Sequence, residues 1–372
     1  MTTAPTTVED LRARLERASA TTRACEIDAL LISPGADLRY LTGYDAVPLE
    51  RLTCLVVPAD GDPVLVAPTL EVPAALASPV GALDLHVHSW DETHDPYQLV
   101  ASLTSGSASV AVADGMAARQ VLRLRAAMPD VEQVLAGRVL RELRMRKSAA
   151  EVDALAAAAA AIDRVHANVP QWLRAGRTER EVGGDIADAI LAEGHAQVDF
   201  VIVGSGPHGA SPHHELSDRV IAAGDPVVVD IGGTMPDGYC SDSTRTYCVG
   251  PPPADFADAY RVLQSAQAQA VAHVAPGVAA ESVDAMARQV LAAGGLAERF
   301  IHRIGHGIGL ETHEEPYLVE GNAEPLDVGM TFSVEPGVYF AGRYGARIED
   351  IVVVTADGVR SLNERPRELV VV

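Results

Sequence analysis

From Val8 to Thr22, charged residues are interleaved among Leu11, Leu15 and Ala18, a pattern that predicts a helix with one buried stripe. Ala29 to Ile32 is a short unbroken apolar run and predicts a buried strand. Leu52 to Val57 and Val64 to Val66 flank Pro58-Ala59-Asp60-Gly61-Asp62-Pro63, a hairpin signal. Leu83 to Trp90 sets Leu83, Leu85 and Val87 against Asp84, His86 and His88, the alternation of a half-buried strand with both histidines solvated. Ser109 to Val112 and Val131 to Leu135 read as further strands, with a helix from Ala117 to Met128. This alternation of helix and strand predicts a compact α/β domain.

Five basic residues follow, Arg138, Arg141, Arg144, Arg146 and Lys147, and read as a solvated helix end between domains. The boundary is placed there, with a first domain over 1–140 and a second over 141–372. In the second, Ala149 to Leu173 predicts an Ala-rich helix, and Thr178 with Glu181 forms a capping box that opens another, ending near Glu193. Strands are predicted near Val198 to Val203, Pro226 to Ile231 and Thr244 to Val249, then helices over Ala254 to Val274 and Ser282 to Ala293. The end is strand-rich: Met330 to Glu335, Ala346 to Thr355, and a turn at Asp357-Gly358.

Composition narrows the classes. A chain of 372 residues suggests two domains, and 48% apolar with 22% charged residues is ordinary for a globular protein. The longest notable apolar run, Ala154 to Ile162, has nine residues, where a membrane span needs about 20. Met1 to Asp10 is polar and lacks the basic start and apolar stretch of a signal peptide, so a cytoplasmic location is expected. The four cysteines show no CxxC and no dense framework, which fits a reducing compartment. With 51 acids against 29 bases, the formal charge of −22 repels phosphate backbones and anionic lipid, so neither nucleic acid nor membrane is an expected partner.

Five segments carry unusual chemistry. Val227-Val228-Val229-Asp230 runs a strand into an acid, and Ser241-Asp242-Ser243-Thr244-Arg245-Thr246 places a second acid twelve residues on. Ile304-Gly305-His306-Gly307-Ile308-Gly309-Leu310 sets a histidine among glycines, with His313 seven residues later. Phe332-Ser333-Val334-Glu335-Pro336-Gly337 ends a strand on Glu335, and Arg347-Ile348-Glu349-Asp350 opens an apolar run. Taken singly, each acid reads as a turn former or cap, and His306 as a hydrogen-bonded core histidine. Taken together, they are four carboxylates and an imidazole in apolar surroundings, where buried carboxylates require a cation. The basic residues inside these motifs are few, chiefly Arg245 and Arg347. Two divalent cations would balance four carboxylates, and an oxygen-rich set with one histidine suits Mn²⁺, Co²⁺ or Zn²⁺.

The order Asp230, Asp242, His306, Glu335, Glu349 with its flanking residues resembles the M24-type metallopeptidase family of prolidase, aminopeptidase P and methionine aminopeptidase. The motifs that carry the resemblance are Asp230-Ile-Gly-Gly, Asp242-Ser-Thr-Arg-Thr, His306-Gly-Ile-Gly-Leu-Glu-Thr-His313-Glu, Val334-Glu335-Pro-Gly and Arg347-Ile-Glu349-Asp. Asp37-Leu-Arg-Tyr-Leu-Thr-Gly-Tyr44 resembles the creatinase-type N-terminal domain, which favours the prolidase and aminopeptidase P branch. The resemblance implies an α/β (α+β) fold: a creatinase-like domain followed by a pita-bread catalytic domain. It implies that Asp230 chelates one metal, that Asp242 and Glu349 bridge two, and that His306 and Glu335 complete the second, with Mn²⁺ the first choice of cation. His213 and His313 resemble the histidines that touch substrate, His214 being an alternative to His213. Tyr339 and Arg347 resemble a polar pair that helps move protons.

The activity implied is hydrolysis of an Xaa-Pro bond by a hydroxide held between the cations, with Glu349 returning a proton to the proline nitrogen. A homodimer is implied too, with a small peptide bearing proline at its second position as substrate. Some prolidases hold the dipeptide's carboxylate with an arginine after the second active-site histidine, yet Glu314 to Val328 contains neither Arg nor Lys. Arg343 or Arg347 are the substitutes, or the pocket is open to longer peptides, so Xaa-Pro dipeptidase and Xaa-Pro aminopeptidase both stand. Asp37 is read first as a turn or cap, and second as a partner for a peptide amine. A non-hydrolytic binding protein or a metal-free amidinohydrolase of the same fold would be expected to lack some of the five ligands, and all five are here.

Overall fold

The computed structural model describes residues 6–372; the first five residues of the polar N-terminal stretch lie outside the described residues. The chain forms two compact units and passes from one to the other after Arg144. The N-terminal unit contains α1 (Val8–Ala24), β1 (Ala29–Ile32), α2 (Ala36–Thr42), β2 (Cys54–Pro58), β3 (Val64–Pro68), α3 (Val72–Ala77), β4 (His86–Trp90), α4 (Pro96–Leu103), β5 (Ser109–Val112), α5 (Ala118–Ala127), β6 (Glu132–Leu135) and α6 (Gly137–Arg144). Its strands form one sheet in the order β4-β3-β2-β1-β5-β6. The unbroken apolar run of β1 is buried at all four positions, as the centre of a covered sheet requires. It pairs antiparallel with β2 and parallel with β5, and the hairpin between β2 and β3 forms as expected.

Two readings of this unit need correction. The alternation at Leu83 to Leu85 does not extend β4, because a 3-10 turn over Pro79–Ala82 precedes it and Asp84 adopts a positive φ of 55°, which breaks the pleat. The basic stretch is not a solvated helix end. Arg144 is buried and donates to Asp37 at 2.7 Å, so Asp37 serves as an internal ion-pair partner. Lys147, the first basic residue of the other unit's buried set, is likewise inside: its side chain is 1% exposed and donates to Glu314 at 2.7 Å.

The C-terminal unit contains α7 (Ala149–Trp172), α8 (Glu179–Ala192), β7 (Gln197–Ser205), β8 (Pro226–Thr234), β9 (Cys240–Cys248), α9 (Ala254–His273), α10 (Ala280–Ala293), β10 (Gly305–Gly307), β11 (Glu314–Leu318), β12 (Thr331–Val334), β13 (Gly337–Phe340), β14 (Tyr344–Arg347), β15 (Asp350–Thr355), β16 (Gly358–Ser361) and β17 (Val370–Val371). Two helices followed by antiparallel strands occur twice in succession. The first pass gives β9-β8-β7, which the C-terminal β17 joins in parallel beside β9, and the second the sheet β11-β10-β12-β15-β16, with β13 and β14 as a separate pair. Each pair of helices supplies a core: Ile162, Val165, Val182 and Ile186 pack with Val227, Val229 and Ile231, while Leu263, Val283 and Leu291 pack with Phe332, Val334 and Val352. The capping box at Thr178 and Glu181 is present, with Thr178 Oγ1 accepting from Glu181 N.

The run from Ala346 to Thr355 is two strands, not one. β14 and β15 belong to different sheets, and between them Glu349 N donates to Thr244 O of β9 instead of to a partner in either sheet. Thr246 Oγ1 joins the same seam, donating to Arg347 O and accepting from Arg347 N. The chain therefore changes sheets at Ile348 and Glu349, where the two halves of the unit meet. Among the described residues no helix is long and apolar enough to cross a membrane.

Candidate metal centre

The strands bring the expected residues to this seam. In the β8–β9 ladder, Asp230 lies opposite Thr244 and Gly232 opposite Asp242, so Asp230 and Asp242 are diagonal neighbours on one face. In the β12–β15 ladder, Val334 lies opposite Asp350, so Glu335 and Glu349 stand one step beyond the last pair. His306 is the middle residue of β10, and Gly305 and Gly307 beside it are sterically required: a Cβ would fall 1.9 Å from Ser333 O in the first and 2.2 Å from Glu315 O in the second.

The donors form overlapping groups. Ligand atoms of Asp230, Asp242 and Glu349 lie within 4.8 Å of one another, as do those of His306, Glu335 and Glu349, and those of Asp242, His306 and His313. Asp242, His306 and Glu349 are each common to two groups, so the donors form one continuous cluster and Asp242 and Glu349 can each be shared by two cations. Asp230, Asp242, His306 and Glu349 are buried, and Glu335 is half-buried.

The chemistry of the set fits divalent cations. Asp230 Oδ1 is buried with no hydrogen-bond partner, a costly state for a carboxylate oxygen unless a cation meets it. His306 Nδ1 lies 3.1 Å from Gly307 O, which can only accept, so Nδ1 carries the hydrogen. That leaves Nε2 facing Glu335 Oε1 at 3.3 Å and Asp242 Oδ2 at 3.7 Å, where a neutral ring presents its lone pair to a cation. This is the tautomer a metal-binding histidine uses, fixed by its other nitrogen. Burial, and after it the charges of Glu349, Asp230 and Glu335, push the Asp242 carboxyl well above its ordinary range; burial and the charges of Glu335 and Asp230 do the same to Glu349. The protein thus concentrates like charge that a single arginine, Arg347, only partly offsets.

One arginine is bound into the set. Arg347 donates from Nη2 to Asp230 Oδ2 at 2.5 Å and to Pro212 O at 3.3 Å, from Nη1 to Tyr339 Oη at 2.8 Å, and from Nε to Thr244 Oγ1 at 3.1 Å. Thr244 Oγ1 in turn donates to Glu349 Oε2 at 2.8 Å. Burial raises the Tyr339 phenol to about 12, so it stays protonated. His313 packs edge-on against His306 with ring centroids 4.0 Å apart and is exposed on its outer side. Burial, then the facing His306 and Arg303, lower it to about 4. His213 is exposed, on the residue after the Pro212 carbonyl that Arg347 holds, while His214 turns away onto Glu179 at 2.8 Å.

Sequence reading missed three residues here. His302 donates from Nδ1 to Arg303 O at 2.7 Å, so its Nε2 accepts from Tyr339 Oη at 2.9 Å. Thr244 aligns both Arg347 and Glu349. Arg303 lies over the Tyr317 ring, 4.4 Å from its centroid. No periodicity marks His302 or Arg303, which lie in irregular chain before β10; Thr244 stood inside a quoted motif but looked like strand filler. Arg343, a proposed carboxylate holder, instead pairs with Asp255 at 2.6 Å on the exposed surface, and Arg347 is committed to Asp230 and Tyr339.

Fold and donor set together define a metal-dependent hydrolase of the pita-bread kind. The chain belongs to metallopeptidase family M24, whose model matches residues 153–356, and the creatinase/prolidase N-terminal domain matches residues 14–146. It is 56% identical over 360 residues to a protein named probable dipeptidase PepE of Mycobacterium tuberculosis, covering 96% of each chain. It is 34% identical to the Xaa-Pro dipeptidase of Lactobacillus helveticus, covering 93% of this chain and 95% of that one. The crystal structure of dipeptidase PepE from Mycobacterium ulcerans, 57% identical, superposes with a TM-score of 0.96 and covers 99% of this chain and 100% of that chain.

Proposed function

We propose that this metallopeptidase is an Xaa-Pro dipeptidase that works with two divalent cations. The observation that carries the reading is the pair of donor groups sharing Glu349, one adding Asp230 and Asp242, the other His306 and Glu335. Asp230 would serve one cation, Asp242 and Glu349 both, and His306 with Glu335 the second. Such cations supply an acidified water near neutral pH and polarise the scissile carbonyl.

The chain's own residues do the rest. Glu349, aligned by Thr244, takes the proton of the attacking water and delivers it to the proline nitrogen, a tertiary amide nitrogen that must be protonated to leave. Arg347 holds Asp230 and Tyr339 in place, and the Tyr339 hydroxyl is kept protonated and oriented by His302. His313 and His213 face the substrate side and hydrogen-bond the reacting carbonyl. Arg303 takes the role expected of Arg343 or Arg347: it is half-buried, three residues before His306, lies over the Tyr317 ring, and makes no ion pair among the described residues, so it is a cation available to a dipeptide's C-terminal carboxylate.

Mn²⁺ as the working cation, a homodimer and a cytoplasmic location complete the proposal; four free cysteines support the last. The test is hydrolysis of an Xaa-Pro dipeptide and an Xaa-Pro-Xaa tripeptide by chelator-stripped protein, with and without added Mn²⁺. Metal-dependent cleavage of the dipeptide is expected. Preference for the tripeptide would move the assignment to Xaa-Pro aminopeptidase, and cleavage of neither by protein with bound metal would overturn proline specificity.

A further inference from the structure

Outside the metal centre, one side chain gathers an unusual number of donors. Glu179 is the first residue of α8, yet its side chain is fully buried. Its Oε1 accepts from Ser205 N at 2.9 Å and Ser205 Oγ at 2.7 Å, and its Oε2 accepts from His214 Nε2 at 2.8 Å and Ser217 Oγ at 2.5 Å. His208 Nδ1 lies between the two oxygens, 3.1 and 3.0 Å away. A carboxylate offers about four lone-pair sites. This one is saturated by the protein, so the cluster needs no cation despite its two histidines. Burial raises the carboxyl, but the hydrogen bonds from Ser217, Ser205 and His208 outweigh it and lower it to about 2. The α8 N-terminus favours the same charged form.

The donors bracket the connection between β7 and β8, which is the segment that carries His213. Residues 205, 208, 214 and 217 are tied to one carboxylate, while Pro212 O is held by Arg347 from the metal side. A third anchor is backbone packing against β14: a Cβ on Gly345 would fall 1.9 Å from Gly209 O. With His214 fixed on Glu179, its neighbour His213 lies close enough to His302 and His313 to act on both electrostatically, lowering each.

We propose that Glu179 is a positioning residue for catalysis: it acts through the 205–217 segment to hold His213 at the metal centre. This rests on the reading of that centre as a peptidase site. Substituting Glu179→Gln keeps the shape but leaves one oxygen facing donors with an amide. In the otherwise native enzyme, kcat for an Xaa-Pro dipeptide should fall about 10- to 100-fold, the scale of a displacement near 1 Å, with KM changed about twofold or less. In a His213→Ala background the same substitution should cost about twofold or less, since the group it positions is gone. Equal losses in both backgrounds would overturn the proposal and leave Glu179 a purely structural residue.

Ser217→Ala, which removes one donor, runs the same cycle if Glu179→Gln fails to fold. A second readout needs no turnover: the His213 imidazole resonance of the Zn²⁺-loaded protein should shift in Glu179→Gln while that of His306 stays in place. An unmoved His213 resonance would also overturn the proposal. If the native enzyme cleaves no peptide, the peptidase reading fails, and the resonance still decides whether Glu179 places His213.

Discussion

Asp230 commits one carboxylate oxygen to Arg347 and keeps the other buried without a hydrogen bond, while His306 directs Nε2 at two carboxylates. These are states that only a cation makes cheap. The five donors were legible in the sequence because each sits in a motif whose apolar flanks imply burial. Their hydrogen-bond settings were not, since Thr244 and His302 act through contacts with residues 105 and 37 positions away. Arg303 belongs to the same hidden set. Replacing Arg303 by Ala should raise KM for a dipeptide by roughly tenfold or more, the worth of a charge-assisted hydrogen bond, and leave a C-terminally amidated substrate nearly unaffected. Equal effects on the two substrates, in steady-state kinetics, would remove Arg303 from carboxylate recognition.

At the scale of elements, the helices were the most legible part. α7, α8, α9 and α10 fall within a few residues of their expected bounds because long periodic segments and a capping box mark them. Short pieces such as α2, α3 and α4 were invisible, having too few residues to show a period. The split between β14 and β15 was hidden for another reason: Arg347-Ile348-Glu349-Asp350 contains no Gly, Pro or Asn to mark a break, and the hydrogen bonds that turn the chain there come from distant residues of β9 and from Pro336. The basic stretch was misread because charge alone does not report burial. Lys147 and Glu314 form an ion pair 1% and 7% exposed, next to His313. Lys147→Ala leaves that carboxylate buried without this cation and should destabilise the C-terminal unit by about 3–5 kcal/mol. Chemical denaturation checks this; a loss below about 1 kcal/mol would mean that water reaches Glu314.

Across the whole molecule, two successive helix–helix–sheet passes put carboxylates from separate sheets around one point, with a net charge of −22 adding to their mutual repulsion. Cation binding and folding are therefore linked. A cation at about 100 times its Kd adds about 2.7 kcal/mol to stability. For a unit of this size, its removal by a chelator should lower Tm by roughly 5–10 °C, and added Mn²⁺ should restore it. Differential scanning calorimetry reads both; an unchanged Tm would contradict cation binding at this centre.

The sequence by itself determined which residue types carry the chemistry, in what order, and which long helices and buried strands surround them, because periodicity, capping and motif spacing are local properties. Tertiary structure alone decided that Asp230 and Asp242 share a face, that Glu335 and Glu349 extend one ladder, that His214 is held by Glu179, and that Arg343 is elsewhere. Register and sheet exchange bring together residues more than a hundred positions apart, and no local pattern encodes which of two neighbouring histidines a buried glutamate will claim.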